Sequence, residues 1–350
     1  MLSILKTNTP RCLCEISGVG YGGAGMRSRM RFVAASALAL VAGAMVQALA
    51  QPTGYPARVV SLVIPYPPGG SADGMARPLA QQISSEWPNP VIILSKPGAG
   101  TTIGAGFVAA SNPDGYTLYI AAPSHVISGS LYKELHYDPV KSFTAISQVF
   151  SSPFIVAAAA KSGIRNLTEL IARAKQSPGE LNFGSSGIGA GPHLSGEVLK
   201  KYAGIDVTHI PFTGAGQPLV ELLGGRIDYV ITDASAMPMI RNGDIVPLAV
   251  TSPQRYRMLP DVPTMSELLP GAPDVTNWGV ILAPAGTPGP IVQFINTSIA
   301  KALTSPELQK VYDAQGYDIA PSTSEAAGKF LADEFLKFHA IIDEAHIQAQ

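Results

Sequence analysis

Residues 59–94 read VVSLVIPYPPGGSADGMARPLAQQISSEWPNPVIIL. VVSLVIPY (59–66) is a β-branched apolar run, the mark of a buried strand. A loop over 67–73 follows, and then MARPLAQQISSEW (75–87) places Met75, Leu79 and Ile83 four apart on one helical face. VIIL (91–94) is a second strand. Beyond it, KPGAGTTIGAG is a glycine loop running into the short helix FVAAS, and YTLYIAA (116–122) is a third strand. The order β-α-β-α-β calls for a mostly parallel sheet with right-handed crossovers. Pro78 fits the first helix only if that helix starts late, near Asp73, or kinks.

The pattern repeats downstream. PFIVAAAA (153–160) reads as a strand, and Asn166 with Glu169 has the N-cap and N3 spacing of a helix stopped by Ser177-Pro178-Gly179. LNFGSS is a strand entering a loop, HLSGEVLKKYAG a helix closed by Gly204, and DVTHIPF a strand. Gln217-Pro218 places proline at a first helical position, and Gly224-Gly225 ends that helix. RIDYVITDA and VPLAVTS are further strands. NWGVILAPAG (277–286) is a lone strand that takes the chain back to the first unit, and helices over 288–303, 306–315 and 324–347 close it. The expectation is an α/β chain of two domains, 51–152 plus 276–350 and 153–275. The cleft between them is faced by strand C-termini and helix N-termini.

Residues 1–50 stand apart. Arg27, Arg29 and Arg31 precede an apolar run, Phe32 to Val46, and then Ala48-Leu49-Ala50. These are the three regions of a secretory signal peptide, with cleavage expected after Ala50; the run is shorter than the roughly 20 residues of a membrane span. Met26 or Met30 is the more natural initiator, which makes the first 25 residues an over-called start. Cleavage removes Cys12 and Cys14, which excludes thiol catalysis, cysteine-ligated zinc and a lipid anchor. It also removes five of 24 Lys+Arg and one of 25 Asp+Glu, leaving 19 against 24, a formal charge of -5. An acidic, cysteine-free exported chain is expected in a bacterial periplasm, with no nucleic-acid surface. Hydrophobic residues at 46% supply a core, and 35 Gly with 30 Pro imply many turns.

Familiar catalytic patterns fit poorly. Gly98, Gly100 and Gly104 follow a strand, but the dinucleotide spacing is one residue too long, so a tight turn with close helix–sheet packing is the better reading. GSSG around Ser185 and Ser186 is not a nucleophile elbow, and no acid is placed by sequence to orient His193. The six histidines are scattered without zinc spacing, so no metal and no cofactor is expected. Asp73 reads first as a helix cap and loop organiser and only second as a base. The positive signal lies in four loops nearly free of Lys and Arg: PPGGSAD (67–73), APSH (122–125), GSSGIGAG (184–191) and PFTGAGQP (211–218). Such loops turn backbone N–H groups and helix N-termini toward a small anion, probing for a carboxylate without a formal positive charge. The ligand-binding set expected from them, with one further acid, is Gly69, Gly70, Ser71, Asp73, Ser124, Ser185, Ser186, Gly187, Gly189, His193, Phe212, Thr213, Gly214 and Asp233.

Nearly the whole chain beyond residue 54 resembles the Bordetella uptake gene family, the solute-binding proteins of tripartite tricarboxylate transporters. The resemblance rests on YPARVVSLVIPYPPGGSADGMAR, KPGAGTTIGA, NPDGYTLYIAA, YDPVKSFTAIS, LTELIARAKQSPGELNFGSSGIGAGPHLSGE, AGIDVTHIPFTGAGQPLVELLGGRIDYV, PLAVTSPQRYRMLPDVPTMSEL and NWGVILAPAGTP in this order. It implies a periplasmic-binding-protein fold of the second type that closes like a hinged trap. It implies a carboxylate held by backbone N–H groups and waters, and hand-off to one large and one small membrane subunit by a monomeric binding protein. Gly69, Gly70, Ser71 and Asp73 match the family's first loop, Ser185, Ser186, Gly187, Gly189 and His193 the second-domain loop, and Phe212, Thr213 and Gly214 the next. This chain departs from the family at Tyr66, where Phe is usual, at Ser95-Lys96 for Asn-Arg, and at Phe212-Thr213 for Tyr-Lys. The last change suggests a less polar wall, open to monocarboxylates, aromatic acids or amides. Two other readings share parts of the same sequence: a sensor for a two-component system, and a periplasmic hydrolase using Ser185 or Ser186 with His193.

Overall fold

The computed structural model describes residues 54–69, 71–132, 134–345 and 347. The signal-peptide reading, Cys12, Cys14 and Gly70 lie outside them. The first half runs β1 (Val60–Ile64), α1 (Ser71–Ser84), β2 (Val91–Ser95), α2 (Thr102–Ala109), β3 (Thr117–Ala121), α3 (Pro123–Leu131) and β4 (Phe143–Pro153). The middle runs β5 (Ile155–Ala159), α4 (Leu167–Gln176), β6 (Asn182–Ser185), α5 (Gly191–Ala203), β7 (Thr208–Pro211), α6 (Gly216–Gly224), β8 (Tyr229–Thr232), α7 (Met237–Arg241), β9 (Ile245–Val250) and α8 (Met265–Leu268). The last part is β10 (Thr276–Pro284), α9 (Gly289–Leu303), α10 (Pro306–Ala314), β11 (Asp318–Ile319) and α11 (Ser324–Ala345).

The strands form two sheets, ordered β11-β4-β10-β3-β1-β2 and β7-β6-β8-β5-β9. Each has a parallel core of three strands. β1 lies between β2 and β3, with Val60 opposite Val91 and Leu62 opposite Leu118, and β6 lies between β7 and β8. The rest is antiparallel: β10 pairs with β3 and β4, β11 with β4, and β5 with β8 and β9. The sheets are therefore mixed, not mostly parallel. The difference comes from β4, whose Ser, Thr and Gln break the apolar run in FTAISQVFSSP, and from the returning strand β10, which runs against its neighbours.

Local chemistry sets the element ends. The Asn166 carboxamide accepts the Glu169 N–H at 2.9 Å while Glu169 Oε2 accepts the Arg165 N–H at 2.7 Å, so two open donors at the start of α4 are satisfied. Gly204 and Gly225 end α5 and α6 in the left-handed conformation. α6 starts at Gly216, so Pro218 is its third residue, still within the turn where no N–H is needed. α1 starts at Ser71, ahead of Asp73, and carries Pro78 in its interior, where a side chain from the end of α10 reaches its open carbonyl.

The chain passes from the first sheet to the second between Pro153 and Ile155, and returns with Thr276. Thr251 joins the two passages: its Oγ donates to the Val275 carbonyl at 2.6 Å and accepts the Phe154 N–H at 2.9 Å. One apolar core runs from Val63, Tyr119 and Trp278 on the first sheet to Val156 and Phe183 on the second and Leu194 on α5. A second core fills the other face of the first sheet beneath α1, α9 and α10, and a third the far face of the second sheet beneath α6.

Candidate functional site

The loop after β1 is organised by Asp73. Its Oδ2 accepts the Gly69 N–H at 3.1 Å, and its Oδ1 pairs with Arg77 Nη2 at 2.7 Å. Gly69 takes a φ of +81°, which an L side chain rarely adopts. Asp73 is buried and committed to these partners, so it serves as loop organiser and not as a free base. Ser71 opens α1. Tyr66, in the same loop, is linked to Ser124 through a side-chain hydrogen bond; burial raises the phenol's pKa and this bond partly offsets it. Ser124 lies in the first turn of α3, so APSH (122–125) is a helix start and not a loop.

The loops after β6 and β7 form one unit. The Phe212 N–H donates to the Ser185 carbonyl at 3.0 Å and the Gly214 N–H to the Ser186 carbonyl at 3.3 Å. Gly187 (φ +133°) packs so closely that a Cβ there would lie 3.3 Å from the Phe212 carbonyl oxygen. Gly189 (φ +71°) lies against α3: a Cβ there would come within 2.9 Å of Leu131. The β6 loop thus meets the helix whose first turn carries Ser124. The Thr213 N–H donates to Gln217 Oε1 at 3.2 Å. Asp233 is separate from this group; it accepts the Ser235 N–H at 2.9 Å and caps the short turn after β8.

Two expectations change. Phe212 does not offer an apolar wall by composition alone, because its ring turns inward beside Pro218 and Ile227, close to where a Gly184 Cβ would lie. The serine–histidine pair is also different. Ser185 Oγ lies 2.7 Å from His209 Nε2, whereas His193 uses Nδ1 to accept the Gly189 N–H at 3.2 Å. Ser185 is fully buried, and its Oγ also accepts the Gly187 N–H at 3.2 Å. Burial pushes the His209 pKa down to about 3, with His193 and then Lys200 adding to it; burial likewise lowers His193. A base so weak, beside a serine that solvent does not reach, suits a structural bond better than hydrolysis.

The loop amides are mostly satisfied from within. Gly69 gives its N–H to Asp73, Gly187 to Ser185, Gly189 to His193 and Gly214 to Ser186. In the first turns of α1, α3, α5 and α6 backbone amides have no acceptor within their own helices, apart from Pro123, Pro192 and Pro218, which carry no N–H, and His125, which donates to the Ala122 carbonyl at 2.8 Å. In the segments 65–77, 122–128, 185–195 and 211–220, Arg77 is the only Lys or Arg, and it is held by Asp73. Among the described residues no three His, Cys, Asp or Glu side chains gather as a metal site. The turn at Gly98–Thr101 packs as tightly as its glycines suggest: a Cβ on Gly104 would lie 2.9 Å from the Lys96 carbonyl oxygen. His209 escaped the sequence reading because it was one of six scattered histidines. The register that pairs it with Phe183 across β6 and β7 was the missing signal.

Two mixed α/β halves joined by two passages, with glycine-rich loops leading into α1, α5 and α6, have the architecture of a two-domain periplasmic binding protein. The chain belongs to the tripartite tricarboxylate transporter receptor family, whose model matches residues 75–347. It is a solute-binding receptor by family. It is 34% identical over 298 residues to the Bordetella pertussis protein BugT, covering 83% of this chain and 90% of that one. Among solved structures, an R. palustris protein with adipate is 30% identical with a TM-score of 0.77, covering 84% of this chain and 99% of that one. MatC from Rhodopseudomonas palustris, with bound malate, is 28% identical with a TM-score of 0.73, covering 82% and 100%.

Proposed function

We propose that this receptor captures a small organic acid and passes it to a transporter of one large and one small membrane subunit. The observation that carries the proposal is the absence of a free cation from the four loops, together with the helices that start in or directly after them. Backbone dipoles and bridging waters then hold the carboxylate. The adipate and malate seen in two relatives support this ligand class. In this reading 51–152 plus 276–350 and 153–275 are the two domains, and the passages at Phe154 and Thr251–Val275 are the hinge. Residues 1–50 direct export to the periplasm, and the receptor acts as a monomer without enzymatic turnover. Ser185 is a strut of the loop. The site comprises the β1 loop around Gly69, Gly70 and Ser71, Ser124 on α3, and the β6–β7 loop unit.

The test is thermal unfolding of the protein lacking residues 1–50 against a panel holding malate, adipate, aromatic acids and nicotinate. A solute that binds only the folded state raises Tm by mass action. The expected result is a rise with at least one acid and none with its methyl ester. A panel without any shift would overturn the reading.

A further inference from the structure

The second sheet carries a pile of four aromatic rings behind the β6 loop. His193 stacks on His209 with centroids 4.1 Å apart, His209 on Phe183 at 4.8 Å, and Phe183 on Tyr229 at 5.4 Å. The rings come from α5, β7, β6 and β8 in turn, so the pile ties together every element that carries the loop. Gly196 makes it possible, since a Cβ there would lie 2.2 Å from Phe183 Cζ.

The two imidazoles both bond to the loop, His193 as an acceptor and His209 through the Ser185 hydroxyl. His193 Nδ1 takes the Gly189 N–H at 3.2 Å, so that nitrogen is unprotonated. The Ser185 hydroxyl accepts the Gly187 N–H at 3.2 Å, lies 3.3 Å from the Gly187 carbonyl oxygen and 2.7 Å from His209 Nε2, so it bonds the imidazole as donor or, with its proton on Gly187, as acceptor. Each ring thereby fixes one end of the turn Ser185–Gly189, directly or through the serine. We propose that His209 is a positioning residue of the solute site: stacked on His193, it holds the Ser185 hydroxyl and locks the β6 loop in the shape that aims the first turn of α5 at the solute. This rests on the reading of that loop as part of a carboxylate site.

The lock has a required protonation state. A proton on His193 Nδ1 would set donor against donor and release the Gly189 end of the turn, whereas the Ser185 hydroxyl can turn to serve either form of His209. The groups facing the pair are Glu197, 3.8 Å from His193 Nε2, Lys200, paired with Glu197, and the Tyr229 phenol at the base of the pile. Burial is the larger influence on both imidazoles and favours their neutral form, lowering His193 and taking His209 down to about 3. The pair therefore shapes the loop without adding positive charge to it.

The test uses His209→Phe, which keeps a ring in the pile but removes the nitrogen that bonds Ser185, and Ser185→Ala, which removes the same bond from its other end. Amide exchange of the segment 185–190 is followed in the free protein, and malate and adipate are titrated as probes. The expected result is exchange faster by about two- to tenfold in both variants, the loss of one neutral hydrogen bond. Probe binding weakens by a similar factor, and the double variant is no worse than either single one. Should His209→Phe not fold, Ser185→Ala decides alone. Wild-type exchange in the variants would overturn the lock. Failure of both probes with the parent protein would count against the carboxylate reading, while the exchange result would still decide the lock.

Discussion

Gln315 Nε2 donates to the carbonyl oxygen of Gly74 at 3.2 Å, and that carbonyl is the one Pro78 cannot serve. Inside a helix, residue 78 would give its N–H to residue 74, but proline has none and its ring crowds that carbonyl. The Tyr312 hydroxyl, three residues before Gln315, bonds the next carbonyl, Met75, at 3.1 Å. α10 thus repairs the flaw in α1, and it does so on the helix that follows the β1 loop.

Gln315→Leu is expected to destabilise the protein by about 0.5–1.5 kcal/mol, the usual net value of one hydrogen bond. Pro78→Ala restores the helical donor, so in that background Gln315→Leu should cost much less. Urea midpoints of the four proteins measure the coupling. Equal costs in both backgrounds would show that Gln315 acts elsewhere.

Thr251 gives a second energetic prediction. Thr251→Val keeps the shape but leaves the Phe154 N–H and the Val275 carbonyl each short of a partner. The loss should be about 1–3 kcal/mol because these groups are buried. Thr251→Ser should recover most of it. The same variant should alter closure, because both passages between the sheets meet at this hydroxyl; small-angle scattering with and without a binding acid would read it.

Much of this architecture can be read from the sequence, and the misses share a cause. Val60–Ile64, Val91–Ser95 and Thr117–Ala121 are apolar runs, and Asn166 caps α4 by a local rule, so both kinds of signal sit within a few residues. β4 and α3 are rich in Ser, Thr and Gly and take their structure from partners far along the chain: β4 pairs with β10, and Ser128 on α3 bonds the Gly100 carbonyl. The candidate site follows the same division. The glycine loops are visible as composition, but the pairing of Ser185 with His209 and the inward turn of Phe212 arise from strand register and packing.

For solute binding, Gly69→Ala and Lys96→Ala should differ. Gly69 has open space for a methyl group but a φ of +81°, so the cost is backbone strain in the β1 loop. The Lys96 ammonium lies over the Phe107 ring of α2 at 4.2 Å and belongs to none of the four loops in sequence. Titration calorimetry with whichever panel acid raises Tm should show binding weakened at least several-fold by Gly69→Ala and unchanged by Lys96→Ala. Loss of binding in Lys96→Ala alone would point to a salt bridge in place of backbone amides.

The stability of the protein should fall in acid earlier than carboxylate titration explains. His125 is fully buried, and its Nε2–H donates to the Pro139 carbonyl at 2.8 Å. Burial pushes its pKa down to about 4, the bond to Pro139 working weakly the other way. In the unfolded chain the imidazole takes up a proton near its ordinary value of 6.5. Between the two values the unfolded state binds more protons than the folded state, so unfolding becomes easier as pH falls. A single histidine with this behaviour contributes on the order of 1 kcal/mol per pH unit inside that window and nothing above pH 7. His193 and His209 shift in the same direction and add to the slope. Urea midpoints at pH 7.5, 6 and 5 should therefore drop steadily. His125→Leu should start lower, having lost the bond to Pro139, and show a flatter fall; an unchanged slope in that variant would mean that His125 is not the residue being titrated.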